Sequence, residues 1–535
     1  MSGIGFITAD KIAKSMGFGD LSTDRVDAAL LYTLTEAESC GHLCMEKHKF
    51  IENCIKLLQT SSLTEEMVAN RAARLVYNNE LMCYNDMVYR AWTAVAEIIL
   101  AKHIVKRLST VVQHKYANLD TELDTVESNL GLQLAIEQRN AVKTALTNGL
   151  SIITGGPGTG KTMIQRAILD IYRRQNPDKK ICCCAPTGRA ARRMTQATGF
   201  GASTIHRALG LMADEDGAFD EPKELDADLL LVDEVSMLDV YLAGSLLGAV
   251  KKGAQVVFIG DADQLPSVGP GAVLSEMIAS ECVPVIRLDK VFRQSNGSRI
   301  ATNAKLIRHG NLGLEYGDDF CFIDSPDITE SAELLVELFL RETEKHGVDN
   351  VALLSPFRQK TETGVNALNT YLQSKINPPA STKNEVECGK RLFRVGDKVM
   401  QTKNHEDVNN GDIGYVTEIY GYGNDKTLYV DFGDGRIKEY EGSDLDRLDL
   451  GYASTVHKSQ GSEYKSVIIN LQSAHSVMLT RPLIYTAITR GKERVIIVGE
   501  RRALCTAIKR TDTEKRGTCL AERIKENIKK ISGGT

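Results

Sequence analysis

A glycine-rich segment between residues 155 and 162 contains the residue types that hold phosphate groups. It follows the apolar run Ile152-Ile153 and fits the pattern G-x-x-x-x-G-K-[ST]. Glycines let backbone amides approach phosphates closely, and the start of the following helix attracts the same anions. The pattern predicts a nucleotide-binding loop in which Lys161 faces the β- and γ-phosphates and the Thr162 hydroxyl helps to hold Mg²⁺. The predicted nucleotide-binding residues of the loop are Gly155, Gly156, Gly158, Thr159, Gly160, Lys161 and Thr162.

Three polar residues after later apolar runs supply the other groups that hydrolysis of a nucleoside triphosphate requires. Asp233 and Glu234 follow the run 229–232, where the first carboxylate can anchor Mg²⁺ and the second can orient and deprotonate water. Gln264 follows the strand that ends at Gly260, so its side chain is expected in the ligand crevice as a γ-phosphate sensor. Taken alone, the acidic pair could cap a helix and the glutamine could be a solvated loop residue.

The elements that position these residues alternate between apolar strands and helices, which predicts an α/β fold with parallel sheets covered on both faces. Two such segments predict two lobes with a cleft between them. The candidate strands are 151–154, 181–185, 229–233 and 256–260 in the first lobe, and 351–355, 467–470 and 495–498 in the second.

Changes in this pattern predict the domain boundaries. Short alternating runs inside the second lobe indicate a small β-barrel, and the lysine- and arginine-rich tail indicates a solvated face. We expect an N-terminal helical, winged-helix-like region over 1–128, a first lobe over 129–284 with a small hairpin insert near 208–224, a second lobe over 285–386 and 449–500, a barrel over 387–448, and the basic tail over 501–535.

Composition limits the classes of protein and of site. The chain has 535 residues, a formal net charge of −5 and no apolar run of membrane-spanning length, so we expect a cytoplasmic protein of several domains without a membrane segment. Twelve scattered cysteines do not suggest a disulfide framework. The residues Cys40, His42, Cys44 and His48 do not have the spacing of a common zinc site. The charge argues against a basic coat but leaves room for a local basic channel.

The opening residues Gly3-Ile4-Gly5-Phe6 resemble half of a helix-hairpin-helix unit, whose amides can hold a nucleic-acid phosphate. A tight turn before a core helix explains them equally well.

The ordered motifs resemble those of superfamily 1 helicases of the RecD-like branch, from about residue 130 to residue 499 and more weakly across the N-terminal segment. Segments 185–191 and 203–207 are similar to the parts of the first lobe that grip single-stranded DNA, and segments 451–463 and 485–490 to DNA and nucleotide motifs of the second lobe. The resemblance implies nucleotide contacts by Gln138, which would read adenine, and by Glu463. It also implies nucleic-acid contacts by Pro186, Thr187, Arg189, Thr204, His206, Thr455 and His457, and two arginine fingers, Arg293 and Arg490.

The same resemblance implies two RecA-like lobes, an SH3-like module at the place of the barrel, and an ATP- and Mg²⁺-dependent DNA helicase or translocase moving 5′ to 3′. We expect a monomer that acts on single-stranded DNA and on duplex/single-strand junctions in recombination, repair or replication. Because the two arginines belong to the second lobe and the phosphates to the first, charge stabilisation would require the cleft to close. The alternatives are an RNA-directed helicase of the same superfamily and a nucleotide-switched clamp or loader that does not travel.

One departure from the family concerns the strand-splitting pin, which would lie near residues 213–221. The Asp-Gly turn there suits a hairpin, but the segment is acidic, which is awkward beside phosphates. Phe219 could stack on a base or face the core.

Overall fold

The computed structural model describes residues 5–60, 62–110, 112, 116, 118–211, 221–290, 298–359, 361–405, 408–422, 425–511 and 515–532. The predicted finger Arg293 and most of the predicted pin, including Phe219, lie outside these ranges. Within them, no helix has the length and apolar content needed to cross a membrane. The same ranges contain no group of three or more His, Cys, Asp or Glu side chains arranged to hold a metal ion.

The N-terminal region combines five helices with a small antiparallel sheet in the strand order β1-β3-β2. Its core is formed by apolar side chains at helical spacing, such as Val26, Leu30 and Leu34, which are buried against Phe50. The elements are α1 (Phe6–Ser15), α2 (Thr23–Ser39), β1 (Cys44–Glu46), α3 (Lys47–Leu58), α4 (Glu65–Tyr77), β2 (Leu81–Tyr84), β3 (Met87–Arg90) and α5 (Ala91–Leu108).

The first lobe is built on a six-stranded parallel sheet in the order β6-β5-β7-β8-β4-β9. Its central strands are buried along their whole length because helices cover both faces, which explains their continuous apolar sequence. The elements are α6 (Leu119–Leu130), α7 (Ile136–Thr147), β4 (Leu150–Gly155), α8 (Lys161–Gln175), β5 (Ile181–Ala185), α9 (Gly188–Thr198), β6 (Ala202–Thr204), α10 (Ile205–Leu209), β7 (Leu229–Val232), α11 (Val240–Ala249), β8 (Gln255–Gly260), α12 (Val273–Ala279) and β9 (Val285–Leu288).

The second lobe has a five-stranded parallel sheet in the order β10-β21-β20-β11-β19. A β-hairpin and a five-stranded antiparallel sheet are inserted after α15, as the alternating runs predicted. The lobe contains α13 (Arg299–Arg308), β10 (Phe320–Asp324), α14 (Ile328–His346), β11 (Val351–Ser355), α15 (Val365–Ile376), β19 (Ala453–Thr455), β20 (Tyr464–Leu471), α16 (Arg481–Ile488), β21 (Gly491–Gly499) and α17 (Arg501–Lys509). The insert contains β12 (Glu385–Cys388), β13 (Arg391–Arg394), β14 (Lys398–Gln401), β15 (Ile413–Tyr422), β16 (Asp425–Asp431), β17 (Ile437–Tyr440) and β18 (Leu448–Leu450).

Three predicted boundaries differ from the structure. Strand β9 pairs in parallel with β4, so the predicted start of the second lobe at residue 285 is too early. Helix α6 packs its Leu123 and Val126 into the core of the first lobe, which therefore begins before residue 129. The insert begins with β12 at Glu385, two residues before the predicted boundary.

The C-terminal tail is not only a solvated face. Helix α17 buries Leu504 and Ile508 in the second lobe. Helix α18 (Leu520–Ser532) instead packs against α5 and α12, with Leu520 and Ile524 buried there. The tail thus starts on the second lobe and ends against the N-terminal region and the first lobe.

Candidate nucleotide site and nucleic-acid interface

The phosphate loop connects β4 to α8 and is closed by its own hydrogen bonds. Gly158 and Gly160 have φ angles of 74° and 85°, in the left-handed region that favours glycine. The Lys161 ammonium donates to the carbonyl oxygens of Gly155 and Gly156 at 2.5 and 2.9 Å, and the Thr159 hydroxyl donates to Gly156 at 2.8 Å. The Lys161 side chain therefore lies across the turn formed by Gly155 and Gly156.

Gln138, the predicted adenine reader, lies directly behind this loop. Its side-chain amide donates to the carbonyl of Thr159 at 3.0 Å, and its side-chain oxygen accepts from the backbone amide of Ala135 at 2.9 Å. A Cβ atom at Gly160 would come within 2.2 Å of the Gln138 amide nitrogen and would displace this side chain, and the φ of 85° favours glycine there as well. Gln138 thus ties the start of α7 to the loop.

The acidic pair emerges from the carboxyl end of β7, which neighbours β8 and through it β4. Asp233 is buried and accepts a hydrogen bond from the backbone amide of Glu234 at 2.9 Å. Burial raises the pKa of Asp233, and the negative charge of Glu234 raises it further. A nearby cation stabilises the charged form of a buried carboxylate that lies beside another carboxylate. The carboxylate oxygens of Asp233 and Glu234 therefore fit the Mg²⁺ role predicted for Asp233. Glu234 itself has the unusual φ of 54°.

A third carboxylate, Asp261, follows β8 and was missed by the sequence analysis. It is fully buried, and burial raises its pKa, while the charge of Lys161 acts in the opposite direction. Its Oδ2 atom accepts from the Gln264 amide at 3.2 Å and from the Tyr485 hydroxyl of the second lobe at 3.1 Å. Gln264 Oε1 is buried and has no hydrogen-bond partner among the described residues, which leaves it able to accept one.

A cavity of about 600 Å³ lies between the phosphate loop and the second lobe. Its walls include Gly156 to Thr159 from the loop, and Arg308, Glu463, Tyr485 and Lys492 from the second lobe. This volume lies within the usual range for small-molecule sites. A nucleotide in this cavity would contact both lobes.

Helix α9 carries three arginines that each contact another part of the molecule. Arg189 donates to the Ser462 hydroxyl at 2.9 Å and to the Tyr464 hydroxyl at 3.0 Å, both in the second lobe. Arg192 pairs at 2.6 Å with Asp412 of the insert.

Arg193 pairs at 2.9 Å with Glu234 and at 3.3 Å with Glu463, so one guanidinium contacts acidic residues of both lobes. Glu463 in turn pairs with Lys492 at 3.1 Å. Burial lowers the pKa of Arg193, but the surrounding carboxylates outweigh this and raise it overall. Sequence reasoning missed Arg192 and Arg193, although their spacing from Arg189 indicates a shared helix face.

Arg490, the second predicted finger, follows α16 and is buried within the second lobe. Its Nε donates to the Thr486 carbonyl at 3.1 Å, its Nη1 to the Ser462 carbonyl at 3.1 Å, and its Nη2 to the Thr489 hydroxyl at 3.2 Å. Each of its nitrogens thus has an acceptor in its own lobe. Ser462 also accepts from Arg189, so the two arginines meet at one residue.

Three of the predicted nucleic-acid residues lie at or just after the carboxyl ends of strands. Thr187 caps α9 after β5, Thr204 caps α10 after the edge strand β6, and Thr455 ends β19, the edge strand of the second sheet. Burial lowers the pKa of His206 and of His457, so both imidazoles are expected to be neutral at pH 7. Pro186 precedes Thr187 in the same loop.

Thr187 also lies close to the second lobe. A Cβ atom at Gly461 would be 3.1 Å from the Thr187 hydroxyl oxygen. Candidate residues of the two lobes are therefore neighbours across the cleft.

Four family models match the chain in sequence order. They are described as the ATP-dependent RecD2 DNA helicase HHH domain over residues 1–44, an AAA domain over 138–270, the ATP-dependent RecD-like DNA helicase SH3 domain over 368–432, and the UvrD-like helicase C-terminal domain over 450–498.

Characterised relatives cover most of the chain. An ATP-dependent RecD2 DNA helicase of Deinococcus radiodurans is 34% identical over 98% of this chain and 72% of its own length. The RecBCD enzyme subunit RecD of Mycolicibacterium smegmatis is 31% identical over 73% of this chain and 75% of its own length. A crystal structure of Pif1 helicase from Candida albicans aligns with a TM-score of 0.43 and 22% identity, over 76% of this chain and 100% of that chain.

Proposed function

Since the chain belongs to the RecD-like family of DNA helicases, we propose that it hydrolyses ATP to move 5′ to 3′ along single-stranded DNA and to open duplexes at single-strand junctions. We propose that it acts as a monomer in DNA recombination, repair or replication.

The observation that carries this proposal is the cavity lined by the phosphate loop and by the second lobe, next to direct hydrogen bonds between the lobes. The backbone amide of Leu265 donates to the Thr486 hydroxyl at 2.8 Å, and the Gln460 amide donates to the Leu265 carbonyl at 3.0 Å. Both bonds cross from one lobe to the other beside Gln264. Binding and release of a nucleotide here can therefore change how the lobes contact each other, which is the event that a translocating motor requires.

The roles proposed for hydrolysis follow the chemistry of each group. Lys161 neutralises charge on the β- and γ-phosphates, and Glu234 orients water and accepts its proton. Thr162 and Asp233 would hold Mg²⁺, which when bound neutralises charge on the phosphate oxygens. Gln264 would sense the γ-phosphate through a water molecule that donates to its free Oε1, and its amide, which donates to Asp261, would pass this contact on to Asp261 and Tyr485. Arg490 would stabilise charge that develops in the transition state.

We propose two contact sites for DNA, one on each side of the cleft. The first uses the residues that begin α9 and α10, and the second uses Thr455 and His457. Because Arg189 already donates to Ser462 and Tyr464, its use by DNA requires those two bonds to be exchanged for a phosphate. Such an exchange would make DNA binding sensitive to the arrangement of the lobes.

The test is unwinding of duplexes that carry either a 5′ or a 3′ single-stranded overhang. We expect ATP-dependent opening of the 5′-tailed substrate, and ATPase activity stimulated by single-stranded DNA more than by RNA. Lys161→Ala should abolish both activities while leaving the fold intact, as judged by its thermal unfolding curve. Stimulation by RNA alone would support the RNA-directed alternative. Slow hydrolysis that DNA does not stimulate, without unwinding of either substrate, would support the clamp.

A further inference from the structure

The contacts of helix α9 point to a residue that has no place in the predicted nucleotide motifs. We infer that Arg193 is a positioning residue that holds the water-activating carboxylate of Glu234 in place only while Glu463 of the second lobe contacts the same guanidinium. This inference rests on the proposed function, since it concerns how hydrolysis depends on the arrangement of the lobes.

Arg193 contacts the two glutamates through different nitrogen atoms. Arg193 uses Nη2 for Glu234 and Nη1 for Glu463, so the two carboxylates occupy different nitrogens of one planar group. The guanidinium is rigid and its donors have fixed directions, so its orientation is defined best when both positions are filled. If Glu463 moves away with its lobe, Arg193 loses one of its two anchors. The orientation of Glu234 then depends on a single contact.

The two glutamates are more deeply buried than the arginine that lies between them. The Glu234 and Glu463 side chains are only 7% and 13% exposed, whereas the Arg193 side chain is 34% exposed. Two poorly hydrated carboxylates that share a site repel each other unless a cation lies between them. Asp233 adds a third negative charge beside Glu234, and Lys492 supplies a second cation beside Glu463. Arg193 is therefore the cation that lets the second lobe approach the hydrolytic carboxylates.

The backbone explains why Glu234 depends on such a contact. Its φ of 54° places it in the left-handed region, directly after a buried strand. The side chain leaves this constrained backbone close to the start of a short 3₁₀ turn at Val235–Met237. An error of about 1 Å in the position of a catalytic group can cost on the order of a hundredfold in rate. Holding Glu234 from α9 is therefore a direct means of controlling hydrolysis.

The experiment measures ATP hydrolysis by the full chain under saturating single-stranded DNA. Arg193→Gln should lower kcat by about a hundredfold while the KM for ATP changes by less than about threefold, because the nucleotide loop is untouched. Arg193→Lys, which can reach one carboxylate but not both, should recover part of the lost rate. Arg192→Gln is the matched control, since Arg192 lies on the same helix but pairs with Asp412, and its kcat should stay within about twofold of the unmodified chain.

The cross-lobe part of the inference is tested by repeating Arg193→Gln in a Glu463→Gln background. If both residues act through one contact, the loss caused by Arg193→Gln should be smaller there than in the unmodified chain. Equal losses in the two backgrounds would overturn the coupling between lobes.

Other outcomes overturn the inference altogether. They are an unchanged kcat in Arg193→Gln, or equal losses in Arg193→Gln and Arg192→Gln. If Arg193→Gln does not fold, Arg193→Lys decides, and a kcat equal to that of the unmodified chain would overturn the positioning role. Absence of DNA-stimulated hydrolysis in the unmodified chain would instead refute the proposed function, so the two failures are distinguishable.

Discussion

Helix α9 of the first lobe and the end of α16 in the second lobe both carry arginines near the boundary between the lobes, and they use them differently. Arg189, Arg192 and Arg193 of α9 all contact other parts of the molecule. Arg490, after α16, donates from each nitrogen to its own lobe. Cations cross the cleft in both directions, since Arg308 of α13 in the second lobe also pairs with Asp263 of the first lobe at 2.8 Å.

An arginine near a lobe boundary can therefore serve either of two purposes. A guanidinium that bridges two lobes senses their distance, since its second partner is lost when they part. A guanidinium satisfied inside one lobe keeps its position whatever the other lobe does. Arg490 therefore fits the role of a preformed positive charge that a bound nucleotide meets when the cleft closes. The α9 arginines instead fit the role of contacts that form when the cleft closes and break when it opens.

Arg490→Lys tests the arginine whose hydrogen bonds all stay within its own lobe. Lysine keeps the charge but cannot serve three acceptors, so kcat should fall by about a hundredfold with a KM for ATP within about threefold. The buried acceptors left behind should also destabilise the second lobe by about 3 kcal/mol. Steady-state ATPase measurements and denaturant unfolding separate the two effects.

Thr489→Val provides the control, because it removes one acceptor of Arg490 and keeps the arginine. It should reduce kcat by about threefold at most. If Arg490→Lys destabilises the lobe but leaves the kcat of the folded protein unchanged, Arg490 is a structural residue and not a finger.

His475 is another polar side chain that faces the interior of the second lobe, and its burial predicts that the stability of this lobe falls at acidic pH. This imidazole is fully buried, packs edge-on against Phe357 at 5.1 Å, and burial lowers its pKa to about 4, partly offset by Glu500. The unfolded chain, with a pKa near 6.5, therefore binds more protons than the folded chain between about pH 6.5 and pH 4, and stability falls as pH falls through this window. From pH 7 to pH 5 the loss should be about 2 kcal/mol.

Hydrogen exchange of β20 in the second lobe measures this loss, with β8 of the first lobe as the internal reference. His475→Gln should remove most of the pH dependence of β20, since glutamine does not titrate. An identical pH dependence in the variant would show that another group is responsible.

The sequence correctly predicted those elements that are specified by the residues of one short, continuous segment. Strands β5 and β11 were predicted with the bounds that the structure gives, because a strand buried on both faces is a continuous apolar run. The phosphate loop was equally clear, since its glycines and lysine perform their roles within eight residues. Strand β9 was assigned to the wrong lobe because its partner β4 is distant in sequence and no residue within it specifies that pairing.

The contacts of α9 were beyond sequence reasoning for the same physical reason. Nothing near Arg193 identifies Glu234 or Glu463 as its partners, since both come from distant parts of the chain. The tail helix α18 did carry a usable signal, because Leu520 and Ile524 are spaced by one helical turn among its charges. Its lysines and arginines alone indicated a solvated face and concealed the buried one.

The smallest expected effect concerns Arg192, the α9 arginine that contacts the insert instead of the second lobe itself. Its partner Asp412 is fully buried and also pairs with Arg436 of the insert at 3.0 Å, so loss of Arg192 leaves that carboxylate with one guanidinium. Because the Arg192 side chain is 36% exposed, solvent screens the pair and Arg192→Gln should cost less than about 1 kcal/mol. Arg436→Gln should cost more, since its side chain is only 16% exposed. Hydrogen exchange of β15, which begins beside Asp412, would rank the two variants. The reverse order would mean that the first lobe, and not the insert, holds this carboxylate, and that α9 restrains the insert as firmly as it contacts the second lobe.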